Sequence, residues 1–396
     1  MKSYNHLMEQ YLSDENYFLA IQNACRRKGG KKRKQRKIKY IKENAKELKD
    51  YYINEAKHFK NDHHEPKYIY DGIRRKQRVI LVPTMREQIV HHMAINVLKP
   101  IFMKGMYEHS YGSVPGRGAH MAKERIEKWI RKSPRDVKYV LKMDIKKYFD
   151  SVPHSILKEK LAKIIHDEEF LAILYEIIDA TGTDKGIPIG FYTSQWFANW
   201  YLTDLDHFIK EELHAKYYVR YMDDMVIFGG NKRELHRMRR AIEKYLNERL
   251  GLQMKDNWQI FRFDYIKSDG TRIGRDLDFM GFRFFRDRTI LRKSIMYKAT
   301  RKAKKVGRKP RKTIHDCRQM LSYLGWIDCT DTYGMYLKYI KPYVNFGYLK
   351  RRESAYQKRI NKEEEECGTK LIMEVLQDQV MSIQHQVTPT YMFAET

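Results

Sequence analysis

Apolar residues recur at helical spacing through Leu235, Met238, Ile242, Tyr245 and Leu246. That spacing predicts a helix with one buried face. The preceding Asn231-Lys232-Arg233-Glu234 has the form of a capping box, and Gly251 is placed to end the helix. Runs of β-formers predict strands at VKYVLKMDI (137–145) and DLDFMGFRFF (276–285). YYVRYMDDMVIFGG (217–230) predicts a hairpin, and IRRKQRVILVP (73–83) predicts a basic hairpin ending at Pro83. The opening MKSYNHLMEQYLSDENYFLA reads as one amphipathic helix. Further helices are expected over 38–56 and 85–102, from about Ser151 with Pro153 in the first turn, and after GIPIGFYTSQ (186–195). From about 291 onward the chain reads as basic and mostly helical, and no internal repeat is visible. The order of strand, helix, helix, hairpin, helix and strands predicts an α+β fold, an antiparallel sheet backed by helices.

Composition narrows the partners. The 396 residues suffice for two or three packed modules. With 78 Lys and Arg against 50 Asp and Glu, the formal charge is +28. So large a positive field suits a polyanion, with nucleic acid ahead of an anionic membrane surface. No apolar run approaches the length of a spanning helix, no signal peptide is expected, and no membrane partner is expected. The basic run RRKGGKKRKQRK (26–37) reads either as a solvated tail or as a phosphate-binding arm, and the charge favours the arm. Cys25, Cys317, Cys329 and Cys367 are far apart and form no CxxC pair. They suit neither a zinc ribbon nor a disulfide scaffold, so a reducing cytoplasm is expected.

The chemistry lies in the carboxylates. Asp223 and Asp224 interrupt a run of β-formers, where they repel each other and lose hydration. They read as a solvated turn or as a metal site. Asp144 ends the strand at 137–145; by itself it would be a helix cap, and Asp150 reads as a cap or as a basic partner's neighbour. If the two strands are neighbours, Asp144 and Asp223 face one pocket. Two hard divalent cations could bridge them there, with a nucleotide's phosphates completing the coordination. His91-His92 has no third ligand nearby and reads as a packed or solvated helix face.

These residues resemble the palm motifs of reverse transcriptases: a strand ending at Asp144 with Phe149 after it, IGFYTSQ at 189–195, and YMDD at 221–224. RVILVP (78–83) with REQIVHHMAINVLKPIF resembles the fingers of bacterial members, and SYGSVPGRGAH (110–120) their second motif. LDFMGFRF (277–284) resembles the primer grip, and SYLGWIDCTDTY (322–333) the thumb of one subgroup. The resemblance implies a right-hand polymerase. Its parts would be a basic helical N-terminal extension (1–64), fingers and palm (65–290), a helical thumb (291–350) and a tail (351–396).

It also implies roles. Asp144 and Asp223 would bind two Mg2+ ions, with Mn2+ as a substitute, supported by Asp224 and the main-chain carbonyl of Ile145. Phe149 would reject a 2′-hydroxyl, or be simply a core aromatic. Arg78, with Arg74 or Lys76, would grip the triphosphate, or be solvated hairpin charge. Gly190 and Ser194 would let the helix backbone approach the nucleotide, Met280 and Gly281 would hold the primer, and Lys255 would protonate pyrophosphate. Most members carry Gln-Gly-x-x-x-Ser-Pro where this chain has Ile189, Gly190, Ser194 and Gln195. That departure is similar to the enzymes of diversity-generating retroelements. It implies error-prone cDNA synthesis from a template-repeat RNA, with dNTPs as substrates, an RNA/DNA hybrid as product and an accessory variability protein as partner. The basic run 292–312 would hold the hybrid. Two other readings stay open: a retron or phage-defence reverse transcriptase, and a non-catalytic RNA-binding scaffold. A group II intron maturase is disfavoured, because no DNA-binding or endonuclease segment is seen after the thumb.

Overall fold

Ser13 divides the opening segment. In the computed structural model, which describes residues 3–26, 32–71 and 76–362, the chain begins with α1 (Leu7–Leu12) and α2 (Asp14–Cys25), not one helix. The Ser13 hydroxyl accepts from the Asn16 N–H at 3.2 Å and so starts a new helix. The expected 38–56 helix is likewise split into α3 (Lys32–Glu43) and α4 (Lys49–Lys57). Between them the Lys49 N–H donates to the Lys46 carbonyl, only three residues back, at 3.2 Å, so the chain tightens out of α-helical register before α4. The basic hairpin starts earlier than expected, pairing β1 (Lys67–Asp71) with β2 (Lys76–Ile80). α5 (Met85–Gly105) opens with a full capping box from Thr84 and Glu87, and α6 (Ala119–Lys132) follows.

β3 (Tyr139–Asp144) leads into α7 (Tyr148–Ser151) and α8 (His154–Ala162). Pro153 is not in a first turn begun at Ser151. It stands just ahead of α8, where its fixed φ starts a second helix. α9 (Glu168–Ile178), α10 (Tyr192–Tyr201) and α11 (Thr203–His207) precede the hairpin of β4 (Tyr217–Tyr221) and β5 (Asp224–Gly229). α12 (Lys232–Leu250) buries Leu235, Met238, Ile242 and Leu246, and Gly251 ends it at φ 59°. Its cap is simpler than a box: the Asn231 side chain accepts from the Arg233 N–H at 2.8 Å. After β6 (Gln259–Arg262) come the small pair β7 (Tyr265–Ile266) and β8 (Arg272–Ile273). β9 (Leu277–Phe279), β10 (Phe282–Phe284) and β11 (Thr289–Leu291) then form a second sheet. α13 (Lys293–Gly307), α14 (Ile314–Asp328) and α15 (Tyr333–Tyr339) close the described chain's named helices.

The central sheet is antiparallel, in the order β4-β5-β3-β6. Side chains alternate between its faces. Leu141, Met143, Tyr218, Met225 and Ile227 enter a first core shared with α1, α2, α5, α8, α9, α10 and α12. Val140, Val219, Val226 and Phe228 enter a second core with α6, β9, β10, α13 and α14. Both faces are therefore covered, and the N-terminal helices belong to the same core as the helices behind the sheet. Tyr11, fully buried, packs on Phe170 at 5.2 Å, and the Asn16 side chain donates to the Met93 carbonyl of α5 at 3.1 Å. No helix among the described residues is long and apolar enough to cross a membrane. Cys317 and Cys329 are free thiols, and Cys367 lies outside the described residues.

Candidate active site

The strands carrying the three carboxylates are hydrogen-bonded neighbours, and Asp144 of β3 stands opposite Asp224 of β5. Tyr221 pairs with Asp224, so Met222 and Asp223 form the two-residue turn between β4 and β5. Met222 adopts φ 55°, a left-handed conformation that costs a side-chain-bearing residue about 1–2 kcal/mol. The turn is braced by 110–112. Tyr111 N–H donates to the Arg220 carbonyl at 2.9 Å, and Gly112 lies so close that a Cβ there would be 2.6 Å from the Met222 nitrogen. This is why the segment SYGSV needs a glycine at that position.

Burial lifts the Asp223 carboxyl to about 7, helped by the negative charges of Asp144 and Asp224. Burial and Asp144 also raise Asp224, against the opposing pull of Lys142, Lys255 and Arg292. Asp144 Oδ2 accepts from Lys255 Nζ, while its Oδ1 is buried without a donor. Asp223 and Asp224 are thus buried carboxyls whose ionised forms are disfavoured. Among the described residues no three His, Cys, Asp or Glu side chains close around one ion. That is compatible with Mg2+, which takes one or two carboxylates and fills its remaining positions with phosphates and water. Ile145 is buried and bridges to Met254, next to Lys255.

The other described site candidates lie on α7, on β2, in and just before α10, and in the turn between β9 and β10. Phe149 is half-buried, lies edge-on to Tyr148 at 5.7 Å, and accepts the Ile187 N–H through its carbonyl at 2.8 Å. Ile189 is half-buried, and its carbonyl accepts the Leu81 N–H at 3.0 Å. Gly190 has φ 121°, and a Cβ on it would lie 2.1 Å from the Leu81 carbonyl oxygen. The glycine is thus required by the chain leaving β2, a role not anticipated from the sequence. Ser194 is buried in α10, Gln195 is exposed, and Arg78 is half-buried in β2. Arg74 lies outside the described residues. Met280 and Gly281 form the tight turn between β9 and β10, at φ 52° and 91°. The Gly281 carbonyl accepts the Arg292 N–H at 2.8 Å, which ties this turn to the start of α13. His91 is packed, not solvated: it lies against Phe191 at 4.7 Å, and burial lowers its pKa to about 3. His92 stacks on Tyr192 at 4.2 Å.

Residues 31–268, more than half of the chain, match the family model described as reverse transcriptase (RNA-dependent DNA polymerase). The chain belongs to the reverse transcriptase family. The right-hand polymerase fold expected of it is the α+β arrangement described above. Protein YkfC of Escherichia coli is 26% identical over 145 residues, covering 34% of this chain and 38% of YkfC. The putative COX1/OXI3 intron 2 protein of Saccharomyces cerevisiae is 25% identical over 195 residues, covering 46% of this chain and 22% of that protein. The chain thus spans less than half the length of these curated relatives. Among solved structures, telomerase from Candida albicans in complex with a fragment of telomeric RNA aligns at TM-score 0.43 and 14% identity, over 77% of this chain and 60% of that one.

One contact in this reverse transcriptase escaped the sequence reading. Lys142 Nζ donates to the Asp278 carbonyl at 2.6 Å, joining the strand of Asp144 to the β9–β10 hairpin. The signal was available: Lys142 lies two positions before Asp144 and therefore shares its face of β3.

Proposed function

We propose that the chain is an RNA-directed DNA polymerase and, more finely, the error-prone enzyme of a diversity-generating retroelement. The observation that carries the polymerase reading is the pairing of Asp144 with Asp224, with Asp223 at the adjoining turn, in a chain of charge +28. Asp144 and Asp223 would hold two Mg2+ ions, with Asp224 and the Ile145 carbonyl in support. Ions bound there would supply the charge neutralisation that in-line phosphoryl transfer requires. Arg78 and Arg74 draw in the triphosphate, and Phe149 excludes a 2′-hydroxyl. Met280 and Gly281 hold the primer end. On α13 the exposed Lys293, Tyr297, Arg301 and Lys305 fall on one helical face suited to the phosphates of a hybrid, so binding should weaken steeply with salt. Two of the relatives are named for COX1/OXI3 introns of Saccharomyces cerevisiae, which supports an intron-type reverse transcriptase as the second reading.

The assay is a primed, adenine-containing RNA with dNTPs and Mg2+, followed by sequencing of the product. cDNA with errors concentrated opposite adenine is the expected result. Accurate cDNA would remove the retroelement reading and leave the polymerase, and no cDNA would remove both.

The finer reading makes a further prediction at Ile189. Glutamine there would offer hydrogen-bonding groups that isoleucine lacks. One net hydrogen bond is worth about 0.5–1.5 kcal/mol, so Ile189→Gln should cut misincorporation opposite adenine by roughly 2- to 13-fold. An unchanged error spectrum would separate this residue from fidelity.

A further inference from the structure

Arg220 is fully buried in β4, two residues before the strained Met222. Its Nε donates to Asp206 Oδ1 at 2.8 Å and its Nη2 to Asp206 Oδ2 at 2.6 Å. Nη1 donates to the Met222 carbonyl at 3.1 Å and to Asn199 Oδ1 at 3.3 Å, and Nη2 to the Asn199 carbonyl at 3.2 Å. Asn199, on α10, donates in turn to the Gly112 carbonyl at 2.7 Å. Asp206 also accepts from the Tyr218 hydroxyl at 2.7 Å.

A buried ion pair is weak evidence for a purely stabilising role, because apolar side chains of similar volume often fill such a place as well or better. A planar guanidinium does something they cannot do. It offers donors in several fixed directions at once. Here it holds the one carbonyl that directly precedes Asp223, in a turn whose backbone conformation is intrinsically unfavourable. It also grips the helix that begins at Tyr192, and so joins the IGFYTSQ segment to the turn. Asp206 keeps the guanidinium charged and oriented.

We propose that Arg220, oriented by Asp206, is a positioning residue that fixes the Met222–Asp223 turn and couples it to α10. This rests on the polymerase reading and assigns no contact between Arg220 and substrate.

Three variants test it by steady-state primer extension, Mg2+ titration and thermal melting. Arg220→Lys keeps the charge beside Asp206 and loses the fork. Its kcat should fall by about 30- to 100-fold, as expected when a reacting group is misplaced by around an ångström. The KM for dNTP should change little and the Mg2+ needed for half-maximal rate should rise. The double variant Arg220→Met/Asp206→Leu removes both charges together; it should fold but melt lower, because the Tyr218 hydroxyl and Asn199 lose their partners, and it should show the same loss of kcat. Tyr218→Phe loses a buried hydrogen bond to Asp206 but leaves the fork in place; it should melt lower and keep wild-type kcat. Wild-type kcat in either Arg220 variant would overturn the proposal. Failure of Arg220→Lys to fold would also overturn it, making the cluster a folding element. A wild-type protein that makes no DNA removes the polymerase reading itself, a different outcome from active Arg220 variants.

Discussion

Asp223→Asn is expected to abolish DNA synthesis and, at pH 8, to make the metal-free protein melt at a higher temperature. The two effects share one cause. In the folded chain the Asp223 carboxyl titrates near 7, against an ordinary value of 3.8, because burial and the charges of Asp144 and Asp224 disfavour its ionised form. Between those two pH values the folded state binds more protons than the unfolded state. Stability therefore falls as pH rises from about 4 to about 7 and stays reduced above that. Asparagine cannot ionise, so it removes the penalty. The gain should be largest above pH 7 and vanish towards pH 4, where aspartate is protonated in both states. Mg2+ should reverse the order, because an ion that binds only the folded wild type raises its melting temperature and leaves the variant unchanged. Loss of several kcal/mol of transition-state stabilisation corresponds to a drop of about 10³-fold or more in primer extension. Melting curves with and without Mg2+ across pH 5–8 check the stability half. A variant that retains wild-type synthesis would remove Asp223 from the catalytic set.

Gly190→Ala should be the most damaging small substitution in the fold outside the carboxylates. The new methyl would meet the Leu81 carbonyl oxygen at 2.1 Å, and φ 121° is itself hostile to any side chain. The clash is with backbone, so no rotamer change relieves it. Either Leu81 withdraws and gives up its hydrogen bond to the Ile189 carbonyl, or the residue leaves its native conformation. A destabilisation of about 2–4 kcal/mol follows, measurable by denaturant titration. Because Leu81 continues the strand that bears Arg78, the KM for dNTP should rise as well. An alanine variant with unchanged stability and KM would show that the approach of these two segments is loose in solution.

How much of this was legible depended on the range of the interactions. β3, the β4–β5 hairpin, α5, and α12 with its end at Gly251 were readable because each is announced locally by β-formers, periodicity or a glycine. The split at Ser13 was missed because a single side-chain bond to the Asn16 N–H outweighed a continuous apolar pattern, and the one after Asn44 because a tightened turn leaves no mark in the periodicity. The three carboxylates were readable as a group because their charge contradicts their apolar surroundings. The reason for Gly190 was not, since it lies in a carbonyl more than a hundred positions earlier in the chain. Arg220 gave a signal of the same kind as the aspartates, one charge inside a β run, but its partners Asp206 and Asn199 are brought to it only by the fold.

The two cores on either side of the central sheet constrain how this chain can be recombined. Its recognisable family segment, residues 31–268, is not a unit that could be transplanted. Cutting at 31 removes α1 and α2, and with them the wall that covers α5 and the bond from Asn16 to Met93. Cutting at 268 removes β9, β10, α13 and α14, which cover Val140, Val226 and Phe228 on the far face of the sheet. Any recombination of this chain therefore has to carry both flanks, and the unit that folds is larger than the segment that identifies the family.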